Sequence, residues 1–172
     1  MEFLELAKER FSCRKFSSKP VENEKLEKIL DAAIIAPTAK NVQPFKIWVL
    51  KSAEALEKLK STTPFPWLKE VPVILAFGGT TEGAFVRPSD NRNFEDVDAA
   101  IVATHAMLEI QSLGLGSTWI GFFDVPKMKE FFPEMKDYDF VALLPVGYPA
   151  DDAEPAERHF IRKNKSEIVK YL

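Results

Sequence analysis

Five consecutive residues, Arg10-Phe11-Ser12-Cys13-Arg14, carry two guanidiniums and a hydroxyl at alternate positions. In an extended backbone, residues 10, 12 and 14 project to one side, and Phe11 and Cys13 to the other. Such a comb suits a phosphate dianion, because arginine offers bidentate, charge-assisted hydrogen bonds. Taken alone, the segment reads more readily as two solvated arginines beside a helix end. A second basic run, Arg158-His159-Phe160-Ile161-Arg162-Lys163, either adds to a phosphate site or is a solvated run of charge.

The stretch Ala36-Pro37-Thr38-Ala39-Lys40-Asn41-Val42-Gln43-Pro44-Phe45 brackets a hydroxyl and two carboxamides between prolines. Carboxamides both donate and accept. Asn41 and Gln43 therefore suit a heterocycle whose edge alternates acceptors with one N–H, as a flavin ring does. Turn chemistry explains the same residues, since Asn and Thr commonly satisfy local backbone groups. In Gly114-Leu115-Gly116-Ser117-Thr118-Trp119-Ile120-Gly121 the glycines invite a dinucleotide-fold reading. The order of elements opposes it: that fingerprint runs strand, glycine loop, helix, whereas here a helix comes first. Gly116 is expected to permit a tight helix-to-strand turn. Trp119 lies either against an aromatic cofactor or in the core.

Other chemistries find little support. No Gly-x-Ser-x-Gly elbow is present. The two histidines, His105 and His159, are too few for an ordinary zinc site without cysteine pairs. His105 and Glu109 are spaced for a surface pair one helical turn apart. Cys13 reads as a small buried apolar residue.

The elements that must position these groups follow from periodicity. Residues 3–9 suggest a short helix and 10–20 a loop-like segment. Leu26, Ile29, Leu30, Ala33 and Ile34 lie on one helical face. Pro37 ends that helix, because proline disfavours helical geometry in the residue before it. Strands are expected at 45–50, 71–77, 117–122 and 140–146, with a surface helix at 53–60 and a short one at 126–132. Residues 97–113 are apolar almost all round, the pattern of a helix buried on most sides, with Asp98, His105, Glu109 and Ser112 on one polar stripe. Gly114 fits its C-cap. Residues 80–96 are the least structured part, either a flap over a site or a solvated connection. Helices alternate with few, unequal strands, so the expectation is an α+β fold on a mixed sheet. The tail at 150–172, reached through an acidic, proline-containing linker, is a candidate for wrapping a partner subunit.

The chain has 172 residues, 46% of them hydrophobic and 28% charged, which favours one domain over 1–172 with an ordinary core. Its net charge of −3, with both signs interspersed, suggests neither a nucleic-acid surface nor a membrane patch. One cysteine permits no intrachain disulfide. The first residues lack the basic start and apolar run of a signal peptide, and a cytoplasmic setting is expected.

In this order, the segments resemble the nitroreductase-like FMN flavoproteins, over nearly the whole chain. Arg10-x-Ser12-x-Arg14 resembles that family's Arg-(Arg)-Ser-x-Arg segment, and residues 36–45 its Ala-Pro-Ser-x-x-Asn-x-Gln-Pro-Trp loop. Residues 114–121 resemble its Gly-Leu-Gly-Thr-x-Trp-x-Gly turn, and Val146-Gly147-Tyr148-Pro149 with the basic tail its C-terminal pattern. The resemblance implies a mixed sheet flanked by helices and an obligate homodimer with FMN at the interface. It implies that Arg10, Phe11, Ser12 and Arg14 lie along the FMN phosphate and ribityl chain, with Arg14 near the ring's N1–C2 carbonyl edge. Pro37, Thr38, Ala39, Asn41 and Gln43 would come from the other subunit. The backbone of Thr118, Trp119, Ile120 and Gly121 would approach the ring, and Arg162 and Lys163 would close on the phosphate.

The implied activity is ping-pong electron transfer from NADH or NADPH to a small-molecule acceptor such as a nitroaromatic or quinone, with no acid–base side chain required. A dehalogenase, a flavin-fragmenting enzyme and a non-catalytic flavin-binding protein are alternatives on the same scaffold. The chain departs from the pattern at Phe11, where many members carry arginine, at Thr38 for serine and at Phe45 for tryptophan. It is also short around residues 80–96, which implies a more open pocket.

Overall fold

The computed structural model describes residues 2–172. Helix α1, Phe3–Glu9, buries none of its residues. Helix α2, Asn23–Ile34, buries Leu26, Ile29 and Ala33, the stripe read from the sequence. Strand β1, Phe45–Leu50, is followed by α3, Ala53–Lys60, whose first turn is capped by Ser52 Oγ accepting from the Ala55 amide at 3.2 Å.

Strand β2, Val73–Gly79, is buried at every position, which accounts for its unbroken apolar run. It starts two residues later than periodicity suggested, because Pro72 stands before it. Residues 80–96 are not structureless: strands β3, Val86–Arg87, and β4, Arg92–Asn93, form a small hairpin. Asn91 turns it with a φ of 57°, a conformation asparagine tolerates. Helix α4, Glu95–Ser112, ends where Gly114 takes a φ of 72°. Helix α5, Val125–Phe131, is capped by Asp124, and β5, Asp139–Val146, completes the sheet. The short α6, Lys165–Ile168, buries nothing.

The sheet order is β1-β2-β5, antiparallel at both pairings. The expected mixed sheet is therefore a correction: the parallel contribution is an isolated bridge, Ser12 to Ser117. The strand expected at 117–122 is likewise reduced to bridges, from Ser117 to Ser12 and from Ile120 to Leu143. The fold is nonetheless α+β, as expected.

Alternation along β2 divides the interior. Ile74 and Ala76 face a core built with Leu56 and Leu59 of α3 and Met128 of α5. Val73, Leu75 and Phe77 face one built with Leu26 and Ile29 of α2 and Val102, Ala106 and Ile110 of α4. Period-two side chains thus glue a helical layer to each face of one sheet. Among the described residues, no helix is long and apolar enough to cross a membrane.

Candidate functional site

The segment from residue 10 to residue 16 runs extended over the surface of this sandwich. The Cys13 amide donates to the Ser117 carbonyl at 3.0 Å, and the Ala150 amide to the Lys15 carbonyl at 3.1 Å. Cys13 is fully buried in the α3–α5 core, and Phe11 packs half-buried against the same cluster. Arg10, Ser12 and Arg14 project to the opposite side, as alternation requires, and line a cavity of about 200 Å³.

The remaining wall comes from the tail: Ala156, Arg158, His159 and Arg162. The acidic linker folds back, and the Lys15 ammonium binds the Asp152 carboxylate at 2.7 Å. His159 Nε2 lies 3.2 Å from the Lys8 carbonyl at the end of α1. Arg158, His159 and Arg162, from the basic run that the sequence offers as an addition to a phosphate site, join the cavity through this return of the chain. Lys163 is exposed and does not line the cavity.

The cavity holds four arginines. Among the described residues no carboxylate lies within ion-pairing distance of Arg10, Arg14, Arg158 or Arg162. Arg14 Nη1 donates to the Ser12 carbonyl at 3.2 Å, and Arg162 Nη1 to the His159 and Ile161 carbonyls at 2.5 and 2.8 Å, which leaves most guanidinium donors of the four arginines free. Burial, and then the neighbouring Arg162, lower the Arg10 guanidinium from its ordinary value. Like charges gathered around a concave surface without counter-charges form an anion site, and a phosphate monoester matches both its charge and its many donors. A larger depression of about 390 Å³ adjoins it, sharing Ser12 and Arg14 and bordered by Glu154 and Glu157.

The loop expected to read a ring edge lies elsewhere on the chain's surface. Pro37, Asn41 and Gln43 are exposed, Thr38 and Ala39 half-buried, and none lines the arginine cavity. Lys40, Asn41 and Gln43 all take left-handed φ values, of 53°, 56° and 59°. Thr38 Oγ1 accepts from the Gln43 amide at 3.1 Å, and Gln43 Nε2 donates to Asn41 Oδ1 at 3.3 Å. The Ala39 amide donates to Asp98 Oδ1 at 2.9 Å. Asp98 belongs to the polar stripe of α4, yet it is buried, so the stripe is not simply a solvated edge. Nor do His105 and Glu109 pair: His105 Nδ1 lies 3.0 Å from the Ile101 carbonyl, and Glu109 accepts from Ser112 Oγ.

In the 114–121 turn, Thr118 and Ile120 are buried, Trp119 is partly exposed, and Gly121 has open space on its Cβ side. Gly116 does not take a left-handed φ. Its role is close approach, since a Cβ there would lie 2.9 Å from Cys13 Sγ.

Comparison with known proteins gives consistent matches. The family model described as "Nitroreductase family" matches residues 7–63 and 60–148. A nitroreductase family protein from Clostridium difficile 630 shares 38% identity, covering 99% of this chain and 98% of its own, with a TM-score of 0.90. An FMN-dependent nitroreductase from Clostridium difficile R20291 shares 25% identity over 94% of this chain and 98% of its own, with a TM-score of 0.76. A protein of Methanothermobacter thermautotrophicus with the provisional name NADH dehydrogenase/NAD(P)H nitroreductase is 29% identical, covering 99% of this chain and 88% of the relative.

Proposed function

The chain belongs to the nitroreductase family, and from that membership we propose that it binds FMN and works as an NAD(P)H-dependent oxidoreductase on small electron-poor acceptors such as nitroaromatics or quinones. The observation that carries the proposal is the cavity of Arg10, Ser12, Arg14, Arg158 and Arg162, whose four guanidiniums lack a carboxylate partner among the described residues. That donor set fits the FMN phosphate. The name of the similar Clostridium difficile R20291 protein supports the same cofactor, and the name of the Methanothermobacter relative supports a nicotinamide donor.

When bound, FMN would supply the redox chemistry between a nicotinamide donor and the acceptor. The chain's own part is binding and electrostatics. Arg10, Arg158 and Arg162 would hold the phosphate, with Ser12 donating from the middle of the comb. Arg14, which is exposed, would stabilise negative charge on the ring. The backbone from Thr118 to Gly121 offers an approach unobstructed at Gly121. Nothing in this division of labour requires a side chain to move a proton.

Thr38, Asn41 and Gln43 do not reach the arginine cavity of their own chain, which supports a site completed by a second copy. The tail supports the same reading. Phe160, Ile161 and Tyr171 are 72%, 73% and 80% exposed, an apolar set that its own chain leaves uncovered.

Titration of apoprotein with FMN and with riboflavin tests the assignment. FMN binding at least about a hundredfold tighter than riboflavin is expected, because several charge-assisted bonds to phosphate are lost with it. Equal affinities would remove the cavity from the site.

A further inference from the structure

One buried carboxylate holds the 38–43 loop across 59 residues of chain. Asp98 is only 1% exposed, and its Oδ1 accepts the Ala39 amide at 2.9 Å. Its Oδ2 has no hydrogen-bond partner, and among the described residues no lysine or arginine pairs with it. A half-used, unpaired carboxylate inside a protein is costly. Its place in the first turn of α4, an 18-residue helix, offsets part of that cost through the helix dipole.

What the carboxylate holds is a backbone under strain. Left-handed φ values at Lys40, Asn41 and Gln43 persist only where the surroundings over-determine them. The bonds from Thr38 to Asn41 and Gln43 lie within the loop and would move with it. Attachment to the body comes from the Ala39–Asp98 bond at its start and from the Thr80 amide donating to the Pro44 carbonyl just beyond its end. The Lys40 ammonium adds a contact 4.8 Å from the centre of the Phe85 ring. Of these, the bond to Asp98 is the hydrogen bond that holds the backbone of the turn nearest Asn41.

We propose that Asp98 is a positioning residue that fixes the carboxamides of Asn41 and Gln43 for the flavin ring, an inference that rests on the FMN reading above. It touches no ligand and acts through the Ala39 amide. Its negative charge is not what the loop uses: one correctly placed oxygen suffices, so asparagine can substitute.

Amide hydrogen exchange of residues 39–43 in apoprotein, followed by FMN titration, tests this on three variants. Asp98→Ala is expected to speed exchange and raise the Kd for FMN, each by about tenfold, the value of one such bond. Asp98→Asn restores both close to native. Ala39→Pro removes the donor instead, its ring displacing the Asp98 oxygen that the amide had engaged, and reproduces the loss of affinity. Combined with Asp98→Ala it adds nothing further, as expected of two ends of one bond. Native exchange and affinity in Asp98→Ala, an asparagine variant as impaired as alanine, or additive effects would overturn the proposal. If Asp98→Ala does not fold, Ala39→Pro and Asp98→Asn decide it. If native apoprotein takes up no FMN, the cofactor reading falls, and loop exchange alone decides whether Asp98 is the anchor.

Discussion

Gly116 and Cys13 are packed so closely that a Cβ at Gly116 would lie 2.9 Å from both the Cβ and the Sγ of Cys13. Cys13 cannot retreat, because it is fully buried and its Sγ donates to the Lys15 carbonyl at 3.2 Å. The glycine turn thereby sets the depth of the segment that aims Arg10, Ser12 and Arg14 into their cavity.

Gly116→Ala should therefore do two things at once. Overpacking should cost about 1–3 kcal/mol, read as a lower urea midpoint at unchanged slope. Displacement of Ser12 and Arg14 should also weaken FMN binding. Lost stability with native FMN affinity would show that the turn does not control the comb.

The four arginines repel one another until an anion arrives. Inorganic phosphate should raise the melting temperature of apoprotein above that in chloride of equal ionic strength. At tenfold excess over its Kd the gain is about 1.4 kcal/mol, or roughly 3–6 °C for a chain of this size. Arg162→Ala should abolish most of that gain without lowering the melting point in chloride. An identical response in the variant would place phosphate elsewhere.

The tail should need a second copy. Replacing Ile161, Ile168 and Tyr171 with serine removes side chains that the chain itself leaves exposed. Sedimentation velocity should find the native protein at twice the chain mass and the variant shifted toward monomer. A native monomer, or a variant that dimerises as well as native, would contradict the role given to the tail.

Acid stability should depend on Tyr148. Its hydroxyl donates to Glu22 at 2.7 Å, and this bond is the chief cause that holds the Glu22 carboxyl below the usual carboxylate range, aided by Lys19 and Lys25. A lowered folded pKa means stabilisation that is fully present above the unfolded value, about 4.3, and is lost as pH falls through the folded one. Tyr148→Phe keeps the ring beneath the Lys19 and Lys25 ammoniums but removes the bond. Calorimetry should show its melting temperature falling less steeply below pH about 4.5 than the native curve. Parallel curves would assign the acid sensitivity to other groups, among them Asp152 beside Lys15 and Asp90 beside Arg87, which are also held low.

Local patterns made much of this legible. Strand β1 and helix α3 lie at the expected 45–50 and 53–60, the strand on its β-favouring Ile47, Trp48 and Val49, and the alternation of Arg10, Ser12 and Arg14 against Phe11 and Cys13 needed only an extended backbone. What escaped was decided by distant partners. The basic run at 158–163 is a candidate for the phosphate site on sequence alone, but that Arg158, His159 and Arg162 enter the cavity while Lys163 does not is decided by the linker folding back, with Lys15 and Asp152 among its ties. Asp98 was legible only as one member of a polar stripe, because nothing beside it in sequence reveals that the Ala39 amide arrives from another loop. Residues 117–122 have strand composition, but the turn presents single bridges to Ser12 and Leu143 instead of a continuous ladder.

The most direct test of the account is an anaerobic visible spectrum of the protein loaded with FMN and desalted, recorded before and after addition of NADH or NADPH. A retained flavin band that bleaches with one or both nucleotides, and returns when a quinone or nitroaromatic is added, is the expected result. A protein that retains no flavin, or one whose band neither nucleotide bleaches, would contradict it.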